Sequence, residues 1–435
     1  MFRPDEGAAG AQAGTERMPA SIRDAEPEAR RMLLKVAWAV ARIAISVAVL
    51  YGVFSRIPFR DRDRVALEGP GLAPPRIEGE LVREDAAAVT VRTADGLERS
   101  VPRDRVARRE TLPPRPGLAS LFRTASRPGL VFFLALSVVP YLLISARWWR
   151  LVRDQGVPLA YGASLRLTLI GTFFNNFLLG STGGDVVKAA LAGAETGRTA
   201  RLLSTVVLDR LVGLIVIVLI AALGILAFLP FAPPAVQAQM AVPGLVVGGL
   251  LAGFLGLYLV YYSRALRGSA PARWLQDRLP FREQIREMDE VFLVYRAKPA
   301  LIAFTAGLSL VSQAVLIASM FVAGRAIGIR EASFLHYVVL IPIIELALCL
   351  PISFAGWGVG EAVYGALFGL AGVAPVSAVA LSLLNKLTVI LIGLPGGLAF
   401  AFGRRKEPGP VAARGAVPGR GGPGDGAGNP PGPVS

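Results

Sequence analysis

From Leu211 to Leu229 the chain runs without a single charged side chain, and Gly129 to Ala146, Val242 to Tyr262 and Ala300 to Gly324 repeat the pattern. At about 1.5 Å per helical residue, runs of this length reach across roughly 30 Å of hydrocarbon. They are read as membrane-spanning helices. Two more runs join them: Val36 to Phe54 near the start, and Val376 to Gly403 near the end. The first is longer than the core of a signal peptide and has no small-residue cleavage pattern after it, so it is expected to stay as an anchor over residues 33–55. Only 18% of residues are charged, and the mean hydropathy of +0.54 leaves too few polar side chains to clothe a soluble protein of 435 residues. The chain reads as an integral membrane protein.

The formal charge of +15 would suggest nucleic acid on a soluble protein. Here it is assigned to loops facing anionic lipid, and no nucleic-acid partner is expected. A lone cysteine, Cys349, and a lone histidine, His336, leave no intramolecular disulfide and no Cys or His metal cluster. No phosphate loop of the Gly-x-x-x-x-Gly-Lys-Ser/Thr type occurs, and no cofactor is expected.

Two regions carry apolar arms around a glycine-rich centre that bears charge. They are Ala163 to Leu191, around Gly183, Gly184 and Asp185, and Leu335 to Leu370, around Gly356, Trp357, Gly358, Gly360 and Glu361. The arm after Asp185 is too short to cross, so both regions are expected to be re-entrant hairpins. Between the first span and Gly129, residues 60–115 change character. Short β-rich stretches at Ile77 to Arg83, Ala88 to Arg92 and Glu98 to Pro102, with a turn at Asp95 and Gly96, predict a small SH3-like domain. Residues 1–29 and 407–435, rich in Ala, Gly and Pro, read as disordered tails. The expected fold is thus an α-helical membrane protein of about six spans and two re-entrant hairpins, with the main transmembrane domain at 129–403.

Short-loop charge sets the expected orientation. Arg147, Arg150 and Arg153 fall on one side with Arg198, Arg201, the Arg264 to Lys298 loop and Arg404 to Lys406. The opposite loops carry nothing between Pro230 and Ala241, and only Arg325 and Arg330 further on. Both termini are placed in the cytoplasm, the β domain outside, and the chain in the cell (inner) membrane.

Shifting the sequence by 176 residues lays Gly184, Asp185, Val187, Ala190 and Leu191 on Gly360, Glu361, Val363, Ala366 and Leu367. The same shift lays Leu208, Asp209, Arg210 and Leu211 on Leu384, Asn385, Lys386 and Leu387. Three spans separate the units, and an odd number turns the second upside down. That is the inverted repeat of secondary transporters, whose sites lie near midplane between broken helices.

Charges at such depth cost at least about 2.5 to 3.5 kcal/mol and require a partner or a wet cavity. Lys386, Asp209, Arg210 and Glu345 are placed there. They form either a buried structural pair, such as Glu345 with Lys386, or a polar cavity for a headgroup. Asp185 and Lys188 share one helical face, so they either pair with each other or serve a ligand. Asn175 and Asn176 offer donors and acceptors at the first break, and Ser353 at the second. Arg42 is expected to snorkel, and Trp148, Trp149 and Tyr261 to anchor at the interface.

Three ordered segments then become recognisable: Phe173 to Lys188 (FFNNFLLGSTGGDVVK), Val207 to Gly213 (VLDRLVG) and Leu350 to Glu361 (LPISFAGWGVGE). They resemble the lysylphosphatidylglycerol synthase transmembrane family, also called flippase-like, over about residues 129 to 403. The chain departs from residues usual in that family at Gly180, Lys188 and Gly360. The resemblance implies movement of a polar lipid between leaflets. The C-terminal tail is too short to hold the aminoacyltransferase domain of the full synthases, and synthase activity is not expected. Membrane lipids are the expected partners, with a cell-envelope protein for residues 60–115 and a second copy in a homo-oligomer. Two other classes are a non-transporting scaffold that anchors the β domain and an intramembrane lipid-modifying enzyme, the latter disfavoured because no nucleophile and base are paired by sequence.

Overall fold

Eleven α-helices and one β-sheet make up the described residues of the computed structural model, which are 20–70, 72–93, 96–177, 183–197, 199–262, 295, 297–350 and 352–403. The expected tail at 407–435, Gly180, Ser181 and most of the Arg264 to Lys298 loop lie outside them. The first helix, α1 (Ala20–Phe54), begins well before the expected start at 33 and takes in residues 20–29, which composition assigns to a tail. Its leading segment is rich in Ala, Glu and Arg, good helix formers that extend a helix already nucleated by the apolar run.

The sheet follows, with β1 (Arg62–Glu68), β2 (Arg76–Glu84), β3 (Ala88–Arg92), β4 (Glu98–Pro102) and β5 (Arg108–Arg115) in the order β4-β3-β2-β1-β5, every pair antiparallel. Period-2 alternation turns Val65, Leu67, Ile77, Val89, Val91 and Val101 into one small core. Gly96, with φ of 84°, makes the turn between β3 and β4. A short helix, α2 (Leu118–Thr124), leads on to the membrane part; its Leu118 and Leu121 pack with Ile57 into the large helical core. The sheet is therefore held to one end of the bundle through both of its linkers.

The bundle comprises α3 (Arg127–Asp154), α4 (Tyr161–Phe177), α5 (Gly183–Thr196), α6 (Thr199–Phe228), α7 (Pro234–Tyr262), α8 (Pro299–Ala326), α9 (Phe334–Cys349), α10 (Val359–Gly369) and α11 (Pro375–Phe402). Six helices, α1, α3, α6, α7, α8 and α11, are long and apolar enough to cross a membrane. The pairs α4/α5 and α9/α10 are the two broken hairpins. Helix α10 starts 176 residues after α5, and α11 starts 176 after α6. Packing repeats as well: α4 lies along α11, its counterpart α9 lies along α6, and α3 and α8 pack on each other. Each hairpin thus rests on the other unit's span.

Candidate functional site

Asp185 stands in the first turn of α5, and Arg210 on α6 donates to its Oδ2. In the second unit Glu361 stands in the first turn of α10, and the Lys386 Nζ on α11 lies 3.1 Å from its Oε1. Glu361 is 176 residues after Asp185, and Lys386 is 176 after Arg210. One ion pair is written twice, joining each hairpin to the span behind it. The carboxylate at a helix N-terminus is also favoured by the orphan amides there.

This pairing corrects two expectations. Asp185 pairs with Arg210 and not with Lys188. Lys188 is buried, its ammonium 3.8 Å from the centroid of the Trp148 ring. Lys386 pairs with Glu361 and not with Glu345, whose Oε2 accepts from Gln313 Nε2 on α8. Asp209 is buried with Arg147, the guanidinium fork closing on both oxygens at 2.6 and 2.9 Å. The third arm of Arg147 donates to Ser309 Oγ on α8. Arg147, counted with the inner loops because it follows the apolar run, is therefore a member of the site; the demand of a deep Asp209 for a cation was the signal that pointed to it.

The two breaks are fixed by different chemistry. At the first, Asn175 Oδ1 accepts from the Gly184 amide at 2.8 Å, and Asn176 Nδ2 donates to the Thr172 carbonyl at 2.9 Å. A Cβ on Gly184 would sit 1.9 Å from the Gly171 carbonyl oxygen, so only glycine allows α4 and α5 to approach there. At the second, Gly356 and Gly358 take φ of 75° and 81°, reversing the chain. Glu361 Oε2 accepts from the Gly358 amide at 2.7 Å, and Lys386 Nζ donates to the Gly356 carbonyl at 2.9 Å and lies 4.3 Å from the Trp357 ring centroid. Gly360 leaves 3.5 Å between an added Cβ and Lys386 Nζ. Ser353 is buried at the turn, and the next amide, Phe354 N–H, donates to Ser46 Oγ on α1 at 2.7 Å. Asn385 Nδ2 reaches the Tyr364 hydroxyl at 3.4 Å. Gly183 opens α5.

Two further expectations change. Trp148 is fully buried with Nε1 donating to Thr205 Oγ1, so it is core rather than an interface anchor; Trp149 donates to the Leu159 carbonyl. Arg42 is buried among protein groups over Trp38 instead of snorkelling. The Tyr261 side chain lies outside the described residues.

The equivalent pairs differ in access. Side-chain exposure is 52% for Arg210 and 15% for Asp185, against 12% for Lys386 and 0% for Glu361. Beside the first pair lies a groove of about 320 Å³ between α5 and α6, walled by Val186, Leu203, Val207 and Leu214 with Asp185 and Arg210 at its edge. The surface of this groove is almost wholly apolar, which suits an apolar chain.

Two copies of a span, a broken hairpin and a further span, with equivalent ion pairs at the breaks, define a multi-pass membrane protein of internally repeated helical architecture. Residues 117–397 match the family described as the lysylphosphatidylglycerol synthase TM region, and the chain belongs to that family. It is also similar to the UPF0104 membrane protein PH1989 of Pyrococcus horikoshii, 23% identical over 295 residues that make up 63% of this chain and 88% of the relative. Helix α1 and the whole of the sheet fall before the matched region.

Proposed function

We propose that this protein moves a polar phospho- or glycolipid between membrane leaflets by alternating access, and that it is a transporter and not an enzyme. The unequal exposure of the two repeat-equivalent ion pairs carries this reading. A two-state repeat protein caught in one state has one half-site open and its counterpart shut. Acyl chains occupy the groove between α5 and α6, and the headgroup meets Arg210 and Asp185 at its rim. Around the first pair Arg147, Lys188 and Arg210 face Asp185 and Asp209, three cations to two carboxylates, which favours an anionic phosphate. Exchange of the two halves then closes the first pair and opens Glu361 and Lys386 toward the other leaflet.

The test is translocation of a headgroup-labelled phospholipid in vesicles containing the purified protein. Wild type is expected to speed it, and Arg210→Ala to slow it about tenfold, the equivalent of one charge-assisted contact of about 1.4 kcal/mol. Equal rates in empty vesicles, wild type and variant would overturn the proposal. They would favour the scaffold reading, in which the membrane part anchors the sheet to a cell-envelope complex.

A further inference from the structure

Four carboxylates lie deep in the two repeats, and three are matched to cations: Asp185 to Arg210, Asp209 to Arg147, and Glu361 to Lys386. Glu345 on α9 is the fourth. Among the described residues its hydrogen bond comes from a neutral amide, Gln313 on α8. It lies about 16 Å along the helix from Phe334, close to the middle of roughly 30 Å of hydrocarbon. Every other group near it is neutral or already engaged. Its charge acts on the hydroxyls of Tyr141 on α3 and Tyr364 on α10 and on the thiol of Cys349. From α6, which packs along α9, the charged residues are Arg201 near the helix start and Asp209 and Arg210, these two each held in its own pair; from α8 it is Arg325 in the last turn, bonded to loop carbonyls; from α10 it is Glu361, paired with Lys386.

A single carboxylate with no cation, at this depth, has one inexpensive way to lose its charge, which is to take a proton. Larger cations need more ligands, and no group of three His, Cys, Asp or Glu side chains gathers there among the described residues. Gln313 donates to the ionised form, so the charged state has one hydrogen-bond donor among the described residues.

We propose that Glu345 is a proton-binding site that couples lipid movement to the pH difference across the membrane, an inference that rests on the transport reading above. The step is a reversible protonation. The carboxylate takes a proton from water on one side, becomes a neutral acid while the repeats exchange, and returns the proton to water on the other side. Only an O–H bond forms and breaks. Glu345 sits in the second hairpin, on the helix that packs along α6, the span that carries Arg210, where its charge biases which half closes.

Two measurements on the full chain separate this site from the transport reading. Infrared difference spectra of the purified protein against pH should show a carboxylic C=O band that disappears in Glu345→Gln. In Gln313→Leu the midpoint of that band should move to higher pH, because the donor to the charged form is gone. In vesicles, an imposed pH gradient should accelerate translocation by wild type, and the ratio of rates with and without the gradient should fall to unity in Glu345→Gln. A band that survives Glu345→Gln, a midpoint unmoved by Gln313→Leu, or a gradient effect that persists in Glu345→Gln overturns the proposal, as does a wild type that moves lipid equally fast at every gradient. A wild type that moves no lipid at all refutes the transport reading, and the infrared titration still decides whether Glu345 binds the proton.

Discussion

Lys386 and Arg210 occupy equivalent places, yet losing each charge has a different cost. Glu361 has no exposure, so Lys386→Ala strands a buried carboxylate and should destabilise the protein by about 3 to 5 kcal/mol. Arg210 is half exposed, and Arg210→Ala should cost no more than about 1 kcal/mol. Thermal melts in detergent decide this, and similar melting points for the two variants would contradict it. From sequence alone the two substitutions were equivalent, because a repeat offset reveals which residues correspond but not how deeply each is covered. In the sheet, burial alone would raise the Glu80 carboxyl, but hydrogen bonds from Arg62 and Arg115 outweigh it and hold the group below its ordinary range. A depressed folded-state value means stability that is complete above the unfolded value and is lost as pH falls through the folded one. Protection of the β1, β2 and β5 amides in the full chain, after division by the intrinsic exchange rate at each pH, should therefore fall as pH drops through the carboxylate range. A much smaller fall is expected in Glu80→Gln, which is already weakened at neutral pH.

The helices were legible element by element because a bilayer imposes a length and an apolar surface on anything that crosses it. Leu211 to Leu229 and Ala300 to Gly324 could be nothing else, and the glycines around Asp185 and Glu361 interrupted runs that would otherwise have read as spans. The partners of the charges were not legible. Arg147 and Asp209 lie 62 residues apart, and the bond between them depends on α3 and α6 meeting at one depth. Close helix contacts were equally silent. A Cβ on Gly396 would come 2.2 Å from the Leu169 carbonyl, so α11 touches α4 backbone to backbone. Gly396→Ala should force these elements apart and cost about 1 to 3 kcal/mol. Gly253→Ala on α7, where an added Cβ meets nothing within 4 Å, should be neutral or better from helix propensity alone. Melting both variants side by side checks the contrast, and an equal loss from both would remove the contact as its cause.

At the scale of the whole molecule, we propose from the arginine asymmetry that α3's C-terminal end lies in the cytoplasm and the sheet outside. In a Cys349→Ala background, Phe231→Cys between α6 and α7 should react with an impermeant thiol reagent from outside intact cells, while Arg153→Cys should not; the opposite pattern reverses the orientation. The sheet and the matched membrane region are joined by more than their linkers, since α1 reaches across to the second hairpin, where Ser46 holds the Phe354 amide and Gly358 presses on the Ser46 carbonyl. Ser46→Ala should quicken hydrogen exchange at the Phe354 amide without touching any charge, and an unchanged rate would show that the contact does not hold the turn. Helix α1 runs unbroken from Ser46 to Phe54, a few residues short of β1. A pull on the sheet along that helix would therefore be felt at the turn of the second hairpin, through the Ser46 contact.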